Sequence, residues 1–157
     1  MSLVILVVLM TALATAFHAT LMDYSENEKI AVTTQAARAL LDRMMREIRT
    51  AAAVDANQSV ISIVPPEDAG GLQLIRYEYD PTGKRLYYTR TVNGQSSTYT
   101  IFGQEVDLVS FSADTQTGLD WQGMTCTKTI RVSLVLRKGA RDFHITAASA
   151  PRRNQIY

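Results

Sequence analysis

Apolar positions dominate the start of the chain and then give way to two different rhythms. From Ser2 to Met22, "SLVILVVLMTALATAFHATLM", there is no Asp, Glu, Lys or Arg. Leu3, Val4, Ile5, Leu6, Val7, Val8, Leu9 and Met10 follow one another without a polar break, and Leu13, Phe17, Leu21 and Met22 continue the run. The polar stretch "DYSENEK" begins at Asp23. Beyond it, in "AVTTQAARALLDRMMREIRTAAA", the apolar residues Ala37, Leu41, Met44 and Ile48 recur at helical steps, with Arg38, Asp42, Arg46 and Arg49 elsewhere around the axis. No glycine or proline occurs before Pro65. Because these residues are the strongest helix breakers, the pattern predicts one long helix over about residues 2–54, with Asp55 to Ser59 as its exit.

After Pro65 and Pro66 the period falls to two. Ile75, Tyr77 and Tyr79 share one side of "LQLIRYEYD", and Ile130, Val132, Leu134 and Leu136 share one side of "IRVSLVLR". The segments "DPTGKR", "VNGQ" and "RKGAR" read as tight turns, the Asn-Gly pair being suited to a two-residue hairpin loop. The expectation is an α+β protein with an antiparallel sheet of about four to six strands. One apolar sheet face needs a cover, and the stripe Ala37, Leu41, Met44 and Ile48 is the available one, so the second half of the helix is expected to pack on the sheet. Residues 1–22 then form a transmembrane or assembly half of the helix, and residues 23–157 a globular domain.

The 157 residues allow one compact domain plus an appended segment. A net charge of +1, with basic residues spread along the chain, gives no footing for a nucleic-acid partner. Cys126 is the sole cysteine, which excludes an intramolecular disulfide and a cysteine-cluster zinc site. The i,i+4 pairs Asp42 with Arg46 and Arg43 with Glu47 suit a solvated helix face.

Candidate chemistry is sparse. His18, the one ionisable side chain within the apolar run, lies near its end and is read as interfacial. His144 points away from the apolar face of its strand by alternation. Glu67 and Asp68 sit in loop-forming sequence without the spacing of a calcium loop. There is no Gly-x-Ser-x-Gly, no phosphate loop and no dinucleotide fingerprint, so no enzyme, catalytic residue, metal or cofactor is expected. Trp121, in a Gly-flanked stretch, is a candidate interface anchor because Trp is enriched at binding hot spots. The closing "PRRNQIY" reads as a loose tail.

Length separates the uses of the opening run. About 20 apolar residues match a hydrocarbon core of about 30 Å, whereas the apolar region of a cleaved signal spans about 7–15 residues. Ala14 and Ala16 form a small-x-small pair of the kind a signal peptidase accepts, but the helical pattern runs through them unbroken. Asp23, Glu26 and Glu28 precede the first basic residue, Lys29, so the domain is expected on the non-cytoplasmic side.

An apolar helix continuing into "AARALLDRMMREIRTA", followed by "IRYEYDPTGKRLYYTRT", "VDLVSFSA", "TIRVSLVL" and "APRRN", resembles the type IV pilin and pseudopilin superfamily. It is most similar to J-type minor pseudopilins of type II secretion and to minor pilins of the PilW kind. The resemblance implies a single-pass protein of the bacterial inner membrane, its C-terminal domain in the periplasm or on an extracellular fibre. Its expected partners are membrane lipid, other pilin or pseudopilin subunits packed through their apolar helices, and a prepilin peptidase if a leader precedes Met1. The family's Lys/Arg-Gly-Phe junction and early glutamate have no counterpart here, and Ile5 stands in the glutamate's region. That departure implies a fibre-tip or initiating position. The alternatives are a membrane-anchored binding module that never polymerises and a secreted enzyme whose signal is removed.

Overall fold

The computed structural model describes residues 2–66, 69–102, 107–119, 122–138 and 141–151. A single long helix, α1 (Ser2–Thr50), opens the chain. Among the described residues eight strands follow: β1 (Ala53–Asn57), β2 (Val60–Val64), β3 (Leu72–Asp80), β4 (Arg85–Val92), β5 (Gln95–Thr100), β6 (Asp107–Leu119), β7 (Thr125–Lys138) and β8 (Arg141–Ser149). The protein is α+β, as the two rhythms of the sequence predict. Two compact units divide it, Met1–Ala36 and Ala37–Tyr157. Within the first, the structure consists of the N-terminal part of α1.

Among the described residues the strands form two antiparallel sheets in place of one, a five-stranded sheet within the expected four to six and an additional three-stranded one. β1-β2-β3-β4-β5 make a five-stranded meander, and β6-β7-β8 a three-stranded one. The second sheet sets out from β6 without pairing to β5. It joins the first where the Ala113 amide donates to Gln58 O at 2.8 Å. Two side-chain links add to that join: Tyr79 Oη donates to Val109 O at 2.9 Å, and Thr127 Oγ1 to Val54 O at 3.3 Å.

The helix also ends earlier than its composition predicts. Ala51 donates to Ile48 O at 3.3 Å, a closing turn, and the next amide, Ala52, is already committed to Val64 O at 2.8 Å. From Ala53 the chain is a strand in register with β2, Ala53 opposite Val64 and Asn57 opposite Val60. Alanine favours helix by only a few tenths of a kcal/mol over most residues. Pairing with β2 and burial of Val54 outweigh that preference.

Turn chemistry sets the register of the meander. Asn93 and Gly94, at φ of 50° and 79°, form the two-residue loop of the β4–β5 hairpin, and Val92 faces Gln95 across it. At the β3–β4 turn Asp80 Oδ1 accepts from the Thr82 amide at 2.9 Å. Within Ala37–Tyr157, one cluster of buried side chains includes Ala37, Leu40, Leu41, Met44, Met45 and Ile48 of α1. From the first sheet it takes Ile61, Ile63, Ile75, Tyr77, Tyr79, Leu86 and Tyr88, and from the second Leu108, Phe111, Ile130, Val132, Leu134 and Leu136.

Candidate functional site

Two regions of α1 carry side chains in arrangements that ask for a partner or supply one. The first is the apolar run. Leu3, Val4, Ile5, Leu6, Val7, Val8, Leu9, Met10, Leu13, Phe17, Leu21 and Met22 are all exposed, from 52% at Val7 to 73% at Leu3. At about 100° per residue, the consecutive positions Leu3 to Met10 go about twice round the axis, so the helix here is apolar on every side. Such a surface is stable only inside a core or a lipid phase. Its most apolar window of 18 residues has a mean hydropathy of 2.2 and none of it is buried. By length and composition, α1 holds a segment able to cross a membrane.

The threonine hydroxyls in this run are satisfied by the helix itself. Thr11 Oγ1 donates to Val8 O at 2.9 Å, Thr15 Oγ1 to Ala12 O at 2.8 Å and Thr20 Oγ1 to Ala16 O at 2.9 Å. Hydroxyls that bond back to the preceding turn need no water, which removes much of the cost of placing them in hydrocarbon. His18 is exposed, about 6 Å along the axis from Met22 at the usual helical rise. Asp23, Glu26, Glu28 and Lys29 follow, all exposed.

The second region lies where Arg43, Glu47, Tyr77 and Tyr88 meet. Glu47 Oε1 accepts from Arg43 Nε at 2.9 Å, and its Oε2 accepts from the Tyr77 hydroxyl at 2.6 Å. The guanidinium carbon of Arg43 stands 4.4 Å from the centroid of the Tyr88 ring, a cation–π geometry. Tyr77 and Tyr88 are tilted against each other with centroids 5.2 Å apart. Burial pushes the Tyr77 phenol well above its ordinary range, and its bond to the Glu47 carboxylate pushes it further. Tyr88 is raised by burial and then by the charge of Glu47. Both phenols stay neutral, and Tyr77 acts as the hydrogen-bond donor to Glu47.

Ala37, Leu41, Met44 and Ile48 are all buried, together with Leu40 and Met45, which the one-stripe reading of the sequence missed. The missed pair makes the apolar face wider than one position per turn, a pattern visible in "ALLDRMM" as adjacent apolar doublets. Arg43 and Glu47 form the ion pair their spacing predicts, whereas no ion pair joins Asp42 to Arg46. His144 is exposed and Cys126 is a half-buried free thiol. Glu67, Asp68, Trp121 and the tail from Arg152 lie outside the described residues. Among the described residues, no three His, Cys, Asp or Glu side chains gather closely enough to hold a metal ion.

Comparison of the chain with known protein families, with curated proteins and with solved structures finds no match.

Proposed function

We propose that this chain is a non-enzymatic structural subunit of the type IV pilin and pseudopilin kind, a minor member anchored in the bacterial inner membrane. The apolar half of α1 is held first by lipid and then by the apolar helices of neighbouring subunits, in a type IV pilus or a type II secretion pseudopilus. The second half of α1, through Ala37, Leu41, Met44 and Ile48, packs on the antiparallel sheet in the pilin-like manner, with the domain on the periplasmic side. The observation that carries the reading is an exposed surface from Leu3 to Met22, apolar on every side from Leu3 to Met10 and free of Asp, Glu, Lys and Arg throughout, whose threonine hydroxyls are already bonded. Such a helix can exchange lipid for protein neighbours without leaving a threonine hydroxyl unpaired.

The test is a charge at Val8. Val8→Asp is expected to abolish incorporation into fibres, because an aspartate near the middle of a span costs about 2.5–3.5 kcal/mol by insertion scales. Normal incorporation of that variant rules out assembly through this helix. If the unmodified chain inserts in membranes yet never co-purifies with pilin-like neighbours, the anchored module that does not polymerise replaces the pilin reading.

A further inference from the structure

β5 is the last strand of the five-stranded sheet and every one of its residues is exposed. Its hydrogen-bonding pattern follows from the register. Ile101 donates to Leu86 O at 2.9 Å. Antiparallel pairs alternate between exchanging and not exchanging bonds, so Tyr88/Tyr99, Arg90/Ser97 and Val92/Gln95 are also bonded pairs. The amides and carbonyls of Ser96, Thr98 and Thr100 therefore point away from β4, along an edge that no other strand pairs with among the described residues. Natural sheets commonly protect such an edge with lysine, proline, a bulge or a covering element. The strand "QSSTYT" contains no charge and no proline, and its pairing with β4 runs without a bulge.

Beside that edge, on the face that carries the Arg43–Glu47 pair, lies an open hollow of about 380 Å³ lined by Arg43, Tyr88, Arg90, Ser97 and Tyr99. Arg43 is neutralised by Glu47, but Arg90, exposed on the same face and one strand in from the edge, makes no ion pair among the described residues. We propose that β5 is a docking edge that accepts an extended segment of a partner protein as a sixth strand, with an acidic side chain of that segment turned toward Arg90. Backbone bonds to Ser96, Thr98 and Thr100 supply the attachment, and the guanidinium supplies the choice of sequence.

A second copy of this chain is the wrong occupant. Its own edge strand, "QSSTYT", has no acidic side chain to offer Arg90. The edge and the hollow do not depend on the proposed function.

The experiment uses the isotope-labelled full chain in detergent micelles and the peptide acetyl-TVTETVT-amide, and it requires no assembly. Amide exchange at Ser96, Thr98 and Thr100 is expected to slow by about tenfold or more when the peptide is added. Replacing the peptide glutamate by lysine is expected to weaken binding by about fivefold or more, and Arg90→Gln to erase that preference. Thr98→Pro removes an outward-facing amide and one exposed side-chain bond to Thr89 but no backbone bond to β4, so it is expected to change thermal unfolding only slightly while abolishing peptide binding. Several results overturn the proposal: no binding at millimolar peptide, binding by the Thr98→Pro variant equal to the original, or equal binding of the glutamate and lysine peptides. Protection of the edge amides that rises with protein concentration alone also overturns it, in favour of a second copy.

Discussion

Glu47 is shared by two donors, the half-exposed Arg43 and the buried Tyr77, and the two contacts differ in worth. A solvated i,i+4 ion pair contributes about 0.3–0.5 kcal/mol. A bond from a buried phenol to a carboxylate is worth more, about 1.5–3 kcal/mol, because its loss leaves a charged acceptor short of a partner in a drier place. Tyr77→Phe is accordingly expected to destabilise the domain by about 1–3 kcal/mol, and Arg43→Ala by less, as read from thermal unfolding followed by circular dichroism. The direction of the Tyr77 shift adds a pH signature. A phenol raised in the folded state stabilises fully below its unfolded value of about 10, and the contribution is lost as pH rises past that value. The unfolding temperature is expected to fall between about pH 9 and pH 11, and less steeply in Tyr77→Phe. Tyr79 and Tyr88, also raised chiefly by burial, keep part of the slope in that variant.

At the scale of elements, α1 and the strands differ in how plainly the chain announces them. The helix is visible from the absence of breakers, and β3 and β7 from strict alternation at Ile75, Tyr77 and Tyr79 and at Ile130, Val132, Leu134 and Leu136. β1 and β5 are not visible in this way. β1, "AVDAN", has the composition of a helix end, and only its ladder with β2 makes it a strand. β5, "QSSTYT", has no apolar alternation, and the Asn93-Gly94 turn is its one local signal. Packing decides the stability of these elements. Met44, fully buried, is expected to cost about 2–5 kcal/mol when changed to Ala, against less than about 0.5 kcal/mol for the exposed Arg46→Ala. Gly94→Ala meets no atom within 4 Å, so its cost comes from the left-handed φ of 79° alone. About 1 kcal/mol is expected from that backbone strain, read as a drop in the urea midpoint.

For the whole molecule, the division at Ala36 and Ala37 separates a stretch without a core of its own from one that holds the entire buried cluster. A chain beginning at Asp23 keeps all of that cluster and loses every residue of the apolar run. It is expected to fold and to remain in solution, with the full chain partitioning into detergent or membrane. Sedimentation of the two chains with and without vesicles checks this, and binding of the shortened chain to vesicles equal to that of the full one contradicts it. The candidate membrane segment was legible because it is a one-dimensional property, a run of side chains whose transfer from water depends on each residue nearly independently. The Glu47–Tyr77 bond was not, since its partners stand 30 positions apart and meet only through the fold.

The same division of causes holds throughout. Sequence alone determined the long helix, the apolar run within it, the half-buried strands at Ile75 to Tyr79 and Ile130 to Leu136, and the Asn93-Gly94 turn. Each of these is set by local propensity, periodicity or a backbone angle. Tertiary structure alone decided that the helix stops at Thr50, that eight strands divide into two sheets, and that β5 is left as an open edge beside Arg90. These outcomes depend on which strand finds which neighbour, a competition among long-range pairings whose energies are not written in any one segment.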